Sequence, residues 1–287
     1  MSILQMPHSR PHAVLFDWHA TLVDTHSAMY LAIDDMLAQL DSLDLRRQLI
    51  DPADSKTPED ARLLRYVIAH QRLHPKVVAQ KKISRTDIFE LLFADNEAAK
   101  AIAHHAFDEA YRNHIDDVFP LEPDIREQLD SLKQVGLPVG VISNRRRDFF
   151  ERELALLEKG SWQALFDVSV CGTDVARRKP AADPLLKALS LLNLPPSQQI
   201  WYVGDSTTDV IAARLAGITP IFYNGAGWDQ AWLDKIFPGS LHHPHRPEAV
   251  VDHIADVTRL ARLMLAQDLR VQRRRERADQ PDNSAAE

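Results

Sequence analysis

The sequence has a single cysteine, Cys171, and no excess of positive charge. One thiol cannot form an internal disulfide, which is typical of a reducing compartment, so we expect a cytoplasmic location. The net charge of -7 gives a folded body no general attraction to nucleic acid, and we predict no such partner. No apolar run approaches the roughly 18 residues of a membrane span, and residues 1–12 lack the apolar stretch of a secretory signal. We therefore predict no membrane partner.

Apolar residues make up 45% of the 287 positions and charged residues 26%, the balance of a globular protein with a substantial core. Short apolar runs that end in polar residues recur along the chain, and helical patterns such as Pro123 to Val135 lie between them. This alternation predicts an α/β fold with a parallel sheet covered by helices on both faces, and ligands bind at the carboxyl edge of such sheets. The runs are Ala13–Phe16, Leu137–Ile142, Phe166–Val170, Ile200–Val203 and Thr219–Tyr223.

Residues 25–118 interrupt the alternation and show helical patterns throughout. Thr57 followed by Pro58 is a typical helix start, with the threonine as N-cap and the proline at the first helical position. The segment therefore predicts an inserted all-helical domain. The arginine-rich tail has the composition of a disordered segment. The predicted domains are a core of residues 10–24 and 119–266, a helical insert of residues 25–118 and a disordered tail of residues 267–287.

Chemically reactive side chains follow the predicted strands. A carboxylate can attack phosphorus as a nucleophile, while a hydroxyl and an ammonium group can hold the phosphoryl oxygens. Two further carboxylates can bind Mg²⁺, which prefers oxygen ligands. The set therefore meets the requirements of phosphoryl transfer through a covalent intermediate. Its members are Asp17, Ser143 with Asn144, Lys179, and Asp205 with Asp209.

In this order, with a helical insert after the first strand, these residues resemble the four motifs of the haloacid dehalogenase superfamily. The resemblance covers about residues 13 to 260, and residues 121–136 resemble the helix of its phosphoglycolate phosphatase branch. It implies a Rossmann-like core, a mobile helical cap, a cleft between them, Mg²⁺ as cofactor and a small phosphorylated substrate. Oligomeric state stays open.

The resemblance also implies individual roles. Asp17 is the expected nucleophile, and Lys179 steadies it together with the phosphoryl group. The expected phosphate-binding residues are Ser143, Asn144 and Thr21. The expected metal ligands are Asp17, the backbone carbonyl of His19, Asp205 and Asp209.

His19 departs from the family pattern, because phosphatases of the family usually carry a second aspartate there as the acid/base. Three interpretations stay open. His19 moves the protons itself, since imidazole titrates near neutrality; the chemistry needs no such group; or the chain is a catalytically silent binding or regulatory protein. Dehalogenases need no metal, so the pair Asp205 and Asp209 disfavours that activity.

A phosphonatase-like activity is a further alternative, because Asp17-Trp18 resembles the first motif of that group. Such an enzyme needs a cap lysine that forms an imine with its substrate. Candidate lysines are Lys76, Lys81 and Lys82. Basic residues beside the second and third motifs can reach a substrate anion or face solvent. These are Arg145, Arg146, Arg147, Arg177 and Arg178.

Overall fold

The computed structural model describes residues 6–80, 83–241 and 243–278. They form two compact units. The first takes the described chain as far as Val23, then Pro120–Phe150, then the chain from Glu158 onward; the second takes Asp24–Phe119 and Glu151–Leu157. These ranges lie close to the predicted core and insert, except that Glu151–Leu157 groups with the helical unit. Glu153 in that segment accepts a hydrogen bond from the Tyr111 hydroxyl of the same unit at 2.8 Å.

The first unit contains a six-stranded sheet in which all neighbouring strands are parallel. Its strands are β1 (Ala13–Phe16), β4 (Val139–Ser143), β5 (Val168–Cys171), β6 (Ile200–Gly204), β7 (Thr219–Tyr223) and β8 (Ala249–Val251). The order across the sheet is β5-β4-β1-β6-β7-β8, which confirms the predicted α/β class. The strand β8 was not predicted, because it is a three-residue strand at the edge of the sheet, paired with β7, and its apolar run is too short to stand out.

Helices cover the sheet, and its central strands are buried on both faces. All four residues of β1 are fully buried, which explains the continuous apolar run in the sequence. In the predicted helix between β1 and β4, Ile125, Leu129 and Leu132 face the core as expected. The helices that lie wholly or partly in this unit are α6 (Ile125–Gln134), α7 (Arg147–Leu156), α8 (Asp183–Leu191), α9 (Thr207–Leu215), α10 (Gln230–Ile236) and α11 (Ile254–Ala278).

The tail differs from the prediction. Helix α11 continues to Ala278, so residues 267–278 are helical rather than disordered. The tail composition is polar, but the amphipathic start of α11 packs on α6, and propagating an existing helix costs less than nucleating one. Residues 279–287 lie outside the described part of the chain.

The second unit is helical, as predicted for the insert. The Thr57 hydroxyl accepts from the Asp60 amide at 3.1 Å with Pro58 in the first turn, so the predicted helix start is confirmed. Its core contains Tyr30, Phe89 and Phe107. Its helices are α1 (His26–Leu37), α2 (Pro58–His70), α3 (Pro75–Gln80), α4 (Arg85–Phe93) and α5 (Glu97–Tyr111), with two short 3-10 helices, Arg46–Gln48 and Pro52–Asp54.

Two short strands, β2 (Val23–Asp24) and β3 (Phe119–Pro120), form a separate two-stranded sheet where the chain passes between the units. Across the described ranges, none of the helices combines the length and the apolar character that a bilayer crossing requires.

Candidate active site

The sheet order brings the predicted reactive residues of the first unit together. Strand β1 lies between β4 and β6, so their carboxyl ends meet at one edge. Asp17 directly follows β1 and its amide donates to the Val203 carbonyl of β6 at 2.8 Å. Ser143 is the last residue of β4, and Asp205 directly follows β6. This adjacency is the arrangement that the motif order predicts.

Lys179 lies at the centre of the cluster and is only 6% exposed. Its ammonium group donates to Asp17 Oδ1 at 2.6 Å and to Asp209 Oδ1 at 2.8 Å. Tyr202 OH lies at 2.8 Å and the Ile142 carbonyl at 3.2 Å. Burial by itself disfavours the charged lysine, but the two carboxylates outweigh it and raise the pKa of Lys179 above its usual value. Lys179 is therefore a fixed positive charge.

Three carboxylates lie close together at this site, and two of them contact the Lys179 ammonium group. Asp17, Asp205 and Asp209 each offer an oxygen within 4.8 Å of the others. Burial, with Asp209 nearby and despite the opposing effect of Lys179, raises the pKa of Asp17 to about 6. Burial, followed by repulsion from Asp17 and Asp209, raises the pKa of Asp205 well above its usual value. A divalent cation would relieve this excess of negative charge, and an all-oxygen donor set suits Mg²⁺. The residues therefore fit the predicted metal.

Asp209 is held by protein donors on both of its oxygens. Oδ2 accepts from the Ser206 amide at 3.1 Å and the Ser206 hydroxyl at 2.6 Å, in a capping box at the start of α9. Oδ1 accepts from Lys179 at 2.8 Å and from Tyr202 at 2.9 Å. An ionised carboxylate has about four acceptor sites, so Asp209 would have to release a donor to contact a metal directly. Gly204 permits this packing, because an added Cβ would lie 2.4 Å from Asp209 Cγ.

Two residues predicted to bind phosphate contact other parts of the site. The Asn144 side chain pairs with the backbone of Lys179: its amide group donates to the carbonyl at 2.9 Å and its oxygen accepts from the N–H at 2.9 Å. The fully buried Thr21 hydroxyl donates to Asp205 Oδ1 at 3.3 Å. The buried Ser143 oxygen accepts from the Arg145 amide at 3.1 Å. Asn144 and Thr21 thus support Lys179 and Asp205.

His19 lies against the guanidinium group of Arg145, which is only 8% exposed. Arg145 Nε donates to His19 Nε2 at 3.0 Å, and Arg145 Nη2 is 2.7 Å from His19 Nδ1. A neutral imidazole has one acceptor nitrogen, so only one of these contacts is a hydrogen bond in a given tautomer. The next residue, Ala20, has a φ of 57°, in the left-handed region that favours glycine.

The remaining basic candidates make ion pairs or backbone contacts within the protein. Arg146 binds Asp148, Arg147 binds Asp174 and the Ser169 hydroxyl, and Arg177 binds Asp183; Arg178 donates to the Gly172 carbonyl. Trp18 is fully buried against Phe150, Trp162 and Phe166, so it fills the core of its unit.

Of the three candidate lysines of the phosphonatase alternative, the structure describes Lys76. Lys76 is half exposed and pairs with Glu59 at 2.9 Å in the second unit. Lys81 and Lys82 lie outside the described residues.

Tyr202 is a site residue that the sequence analysis missed. It lies inside a buried strand whose side chains are otherwise apolar, so the pattern predicts only packing. The signal in the sequence is a single hydroxyl two residues before Gly204, within an apolar run.

Comparison with known proteins agrees with the fold and the motifs. The family model described as haloacid dehalogenase-like hydrolase matches residues 14–222. A phosphoglycolate phosphatase from Shigella boydii is 27% identical over 204 residues, which is 71% of this chain and 77% of that one. The phosphoglycolate phosphatase of Escherichia coli K12 is 34% identical over 116 residues, 40% of this chain. For several curated relatives, the E. coli enzyme included, the match spans only 44% of the relative's length.

Solved structures share the architecture. A haloacid dehalogenase superfamily hydrolase of subfamily IA from Geobacter sulfurreducens superposes with a TM-score of 0.52 at 19% identity, covering 88% of this chain and 98% of that one. At that identity the likeness concerns the fold. The family model covers well over half of the chain and includes all four motifs, so the protein belongs to the haloacid dehalogenase-like hydrolase family.

Proposed function

We propose that the protein is a Mg²⁺-dependent phosphatase that hydrolyses a small phosphorylated metabolite through an aspartyl-phosphate on Asp17. One observation carries the proposal. The Asp17 carboxylate, at the carboxyl end of β1, is held at 2.6 Å by the buried Lys179 ammonium and has Asp205 and Asp209 oxygens within 4.8 Å. The phosphoglycolate phosphatases among its relatives agree with this class of substrate.

In the first step an Asp17 oxygen attacks phosphorus, the new O–P bond forms and the ester P–O bond breaks. A carboxylate with a pKa of about 6 is ionised at neutral pH and more basic than an ordinary aspartate. Lys179 and the Ser143 hydroxyl hold the phosphoryl oxygens as charge develops on them. In the second step water attacks the aspartyl-phosphate, which releases phosphate and regenerates Asp17.

The metal would be held by Asp17, Asp205 and the His19 backbone carbonyl, with Asp209 beside them. Mg²⁺ supplies the positive charge that lets an anionic carboxylate approach an anionic phosphate. Asn144 and Thr21 support Lys179 and Asp205, so in this proposal they position the site rather than bind phosphate.

Proton transfer is assigned to His19. The leaving oxygen needs a proton in the first step, and the attacking water must lose one in the second. Both ring nitrogens lie against Arg145, so His19 can serve only if Arg145 releases one of them when substrate binds. The same contacts favour the alternative of a silent binding protein, in which the ring stays occupied and turnover is absent.

Phosphate release from a panel of phosphorylated metabolites and one aryl phosphate tests the proposal. We expect turnover with Mg²⁺, none in chelator, and poor replacement by the larger Ca²⁺. Asp17→Asn should lose nearly all turnover and keep the fold, whereas Asp95→Asn, at an exposed site in the second unit, should keep both. Equal activity of Asp17→Asn and wild type would refute the covalent mechanism. Mg²⁺ binding without phosphate release from any ester would favour the silent protein.

A further inference from the structure

The Tyr202 hydroxyl lies among the charged groups of the site, although the residue belongs to the apolar strand β6 and is 1% exposed. It is 2.8 Å from Lys179 Nζ and 2.9 Å from Asp209 Oδ1. The Ile142 carbonyl is a more distant neighbour at 3.4 Å. A buried hydroxyl thus contacts both the central cation and one of the three carboxylates.

The donors and acceptors determine how this hydroxyl is used. A phenol has one proton to donate and lone pairs to accept with, and an ammonium group has three protons and no acceptor. A tyrosine phenol keeps its proton at neutral pH. It therefore donates to Asp209, the nearer of its two acceptors, and accepts from Lys179.

With this hydroxyl in place, the hydrogen bonds of both Lys179 and Asp209 are satisfied. Lys179 directs its three protons to Asp17, Asp209 and Tyr202, the three acceptors within 2.8 Å. Asp209 Oδ1 receives its second donor from Tyr202, and its other oxygen is held by Ser206. Without the hydroxyl, Lys179 would lose one of these three acceptors, and Asp209 Oδ1 would accept from Lys179 alone.

We propose that Tyr202 is a positioning residue, whose hydroxyl bridges Lys179 and Asp209 and fixes both against Asp17. This inference rests on the proposed phosphatase function, because its effect is exerted on the residues assigned to the phosphoryl group and the metal. Partners that orient the groups around a metal typically change activity or metal affinity by about 10–100-fold when they are removed.

Tyr223 provides a matched control on the neighbouring strand β7. It is 2% exposed, and its hydroxyl donates to a carboxylate, Glu122 Oε1, at 2.7 Å. Glu122 also accepts from the Ile254 amide at the start of α11, so this hydrogen bond belongs to the framework of the unit. Changing either tyrosine to phenylalanine removes one buried hydroxyl and its bond to a carboxylate, but only Tyr202 contacts Lys179.

The experiment compares Tyr202→Phe and Tyr223→Phe with wild type in full-length protein. We expect Tyr202→Phe to lower kcat by about 10–100-fold and to raise the Mg²⁺ concentration for half-maximal activity about tenfold. Tyr223→Phe should leave both within about twofold. Both variants should stay folded with a modest fall in melting temperature, which should be somewhat larger for Tyr202→Phe because it loses two buried hydrogen bonds and Tyr223→Phe loses one.

Mg²⁺ binding by calorimetry gives a readout without turnover, and it should weaken only in Tyr202→Phe. If the two variants behave alike in kcat and in Mg²⁺ dependence, Tyr202 is merely a packed core residue and the proposal is wrong. A wild-type protein that releases no phosphate from any ester, with or without Mg²⁺, would instead refute the proposed function.

Discussion

The free energy of unfolding of the metal-free protein should fall as the pH rises from about 4 to 6. In the folded chain, burial first and repulsion from Asp209 second raise the pKa of Asp17 from 3.8 to about 6, although Lys179 opposes them. The unfolded chain has no such shift, so it gives up the Asp17 proton at lower pH than the folded chain does. A pKa shift of this size lowers the free energy of unfolding by about 3 kcal/mol. This loss is absent at a pH below the pKa of Asp17 in the unfolded chain, and it is complete at a pH above its pKa in the folded chain. Asp205, whose pKa is also raised, acts in the same direction.

Mg²⁺ should remove this penalty, because a cation bound to the carboxylates favours their ionised form. Below pH about 6 the metal must displace the Asp17 proton, so its affinity should fall up to about tenfold per pH unit. At a fixed Mg²⁺ concentration above the dissociation constant, each tenfold change in Mg²⁺ affinity changes the free energy of unfolding by about 1.4 kcal/mol. The stabilisation by Mg²⁺ should therefore be larger at pH about 7.5 than at pH about 5 by at least that amount.

Urea denaturation in Mg²⁺ and in chelator, at these two pH values, measures the difference. Asp17→Asn removes one of the titrating carboxylates, so its Mg²⁺ effect should be smaller and should depend less on pH. Asp95→Asn changes an exposed carboxylate in the other unit and should behave as wild type. An equal Mg²⁺ effect at both pH values in the wild type would show that the buried carboxylates hold no proton at the lower pH or do not bind the metal, and would refute this reasoning.

Three substitutions test other parts of the site. Lys179→Met leaves the buried carboxylates without their cation, so in chelator at neutral pH it should lower the free energy of unfolding by about 3–5 kcal/mol. The loss should be smaller at pH about 5, because the carboxylates take up protons there. An unchanged urea midpoint would contradict the central role of this lysine. His19→Ala should slow hydrolysis of alkyl phosphates more than of activated aryl phosphates, because only the former need a protonated leaving group; unchanged rates and pH profile for both ester types would end its proton-transfer role. Gly204→Ala places a Cβ 2.4 Å from Asp209 Cγ and should raise the Mg²⁺ concentration for half-maximal activity about tenfold, and an unchanged Mg²⁺ titration would refute the close packing.

The amino-acid sequence by itself was sufficient to predict the fold class and to select candidate residues that lie at one edge of the sheet. Parallel strands buried on both faces require continuous apolar runs, so Ala13–Phe16 and Ile200–Val203 could be recognised without tertiary information. The polar residues that end these runs must lie at one edge of the sheet, which predicted that Asp17, Ser143 and Asp205 are neighbours. The helix cap at Thr57 is equally local, because the Thr57 hydroxyl accepts from the amide of Asp60, only three residues away.

Tertiary structure decided which partner each side chain contacts. The amide of Asn144 pairs with the backbone of Lys179, 35 residues away, and Tyr202 reaches Asp209 and Lys179 from within an apolar strand. No local pattern predicts such contacts, since hydrogen-bond partners at long sequence separation depend on how the elements pack. The contact between Arg145 and His19, 126 residues apart, is of the same kind. The sequence therefore determined which polar groups lie at this edge of the sheet, and the packing of the elements decided which of them contact one another.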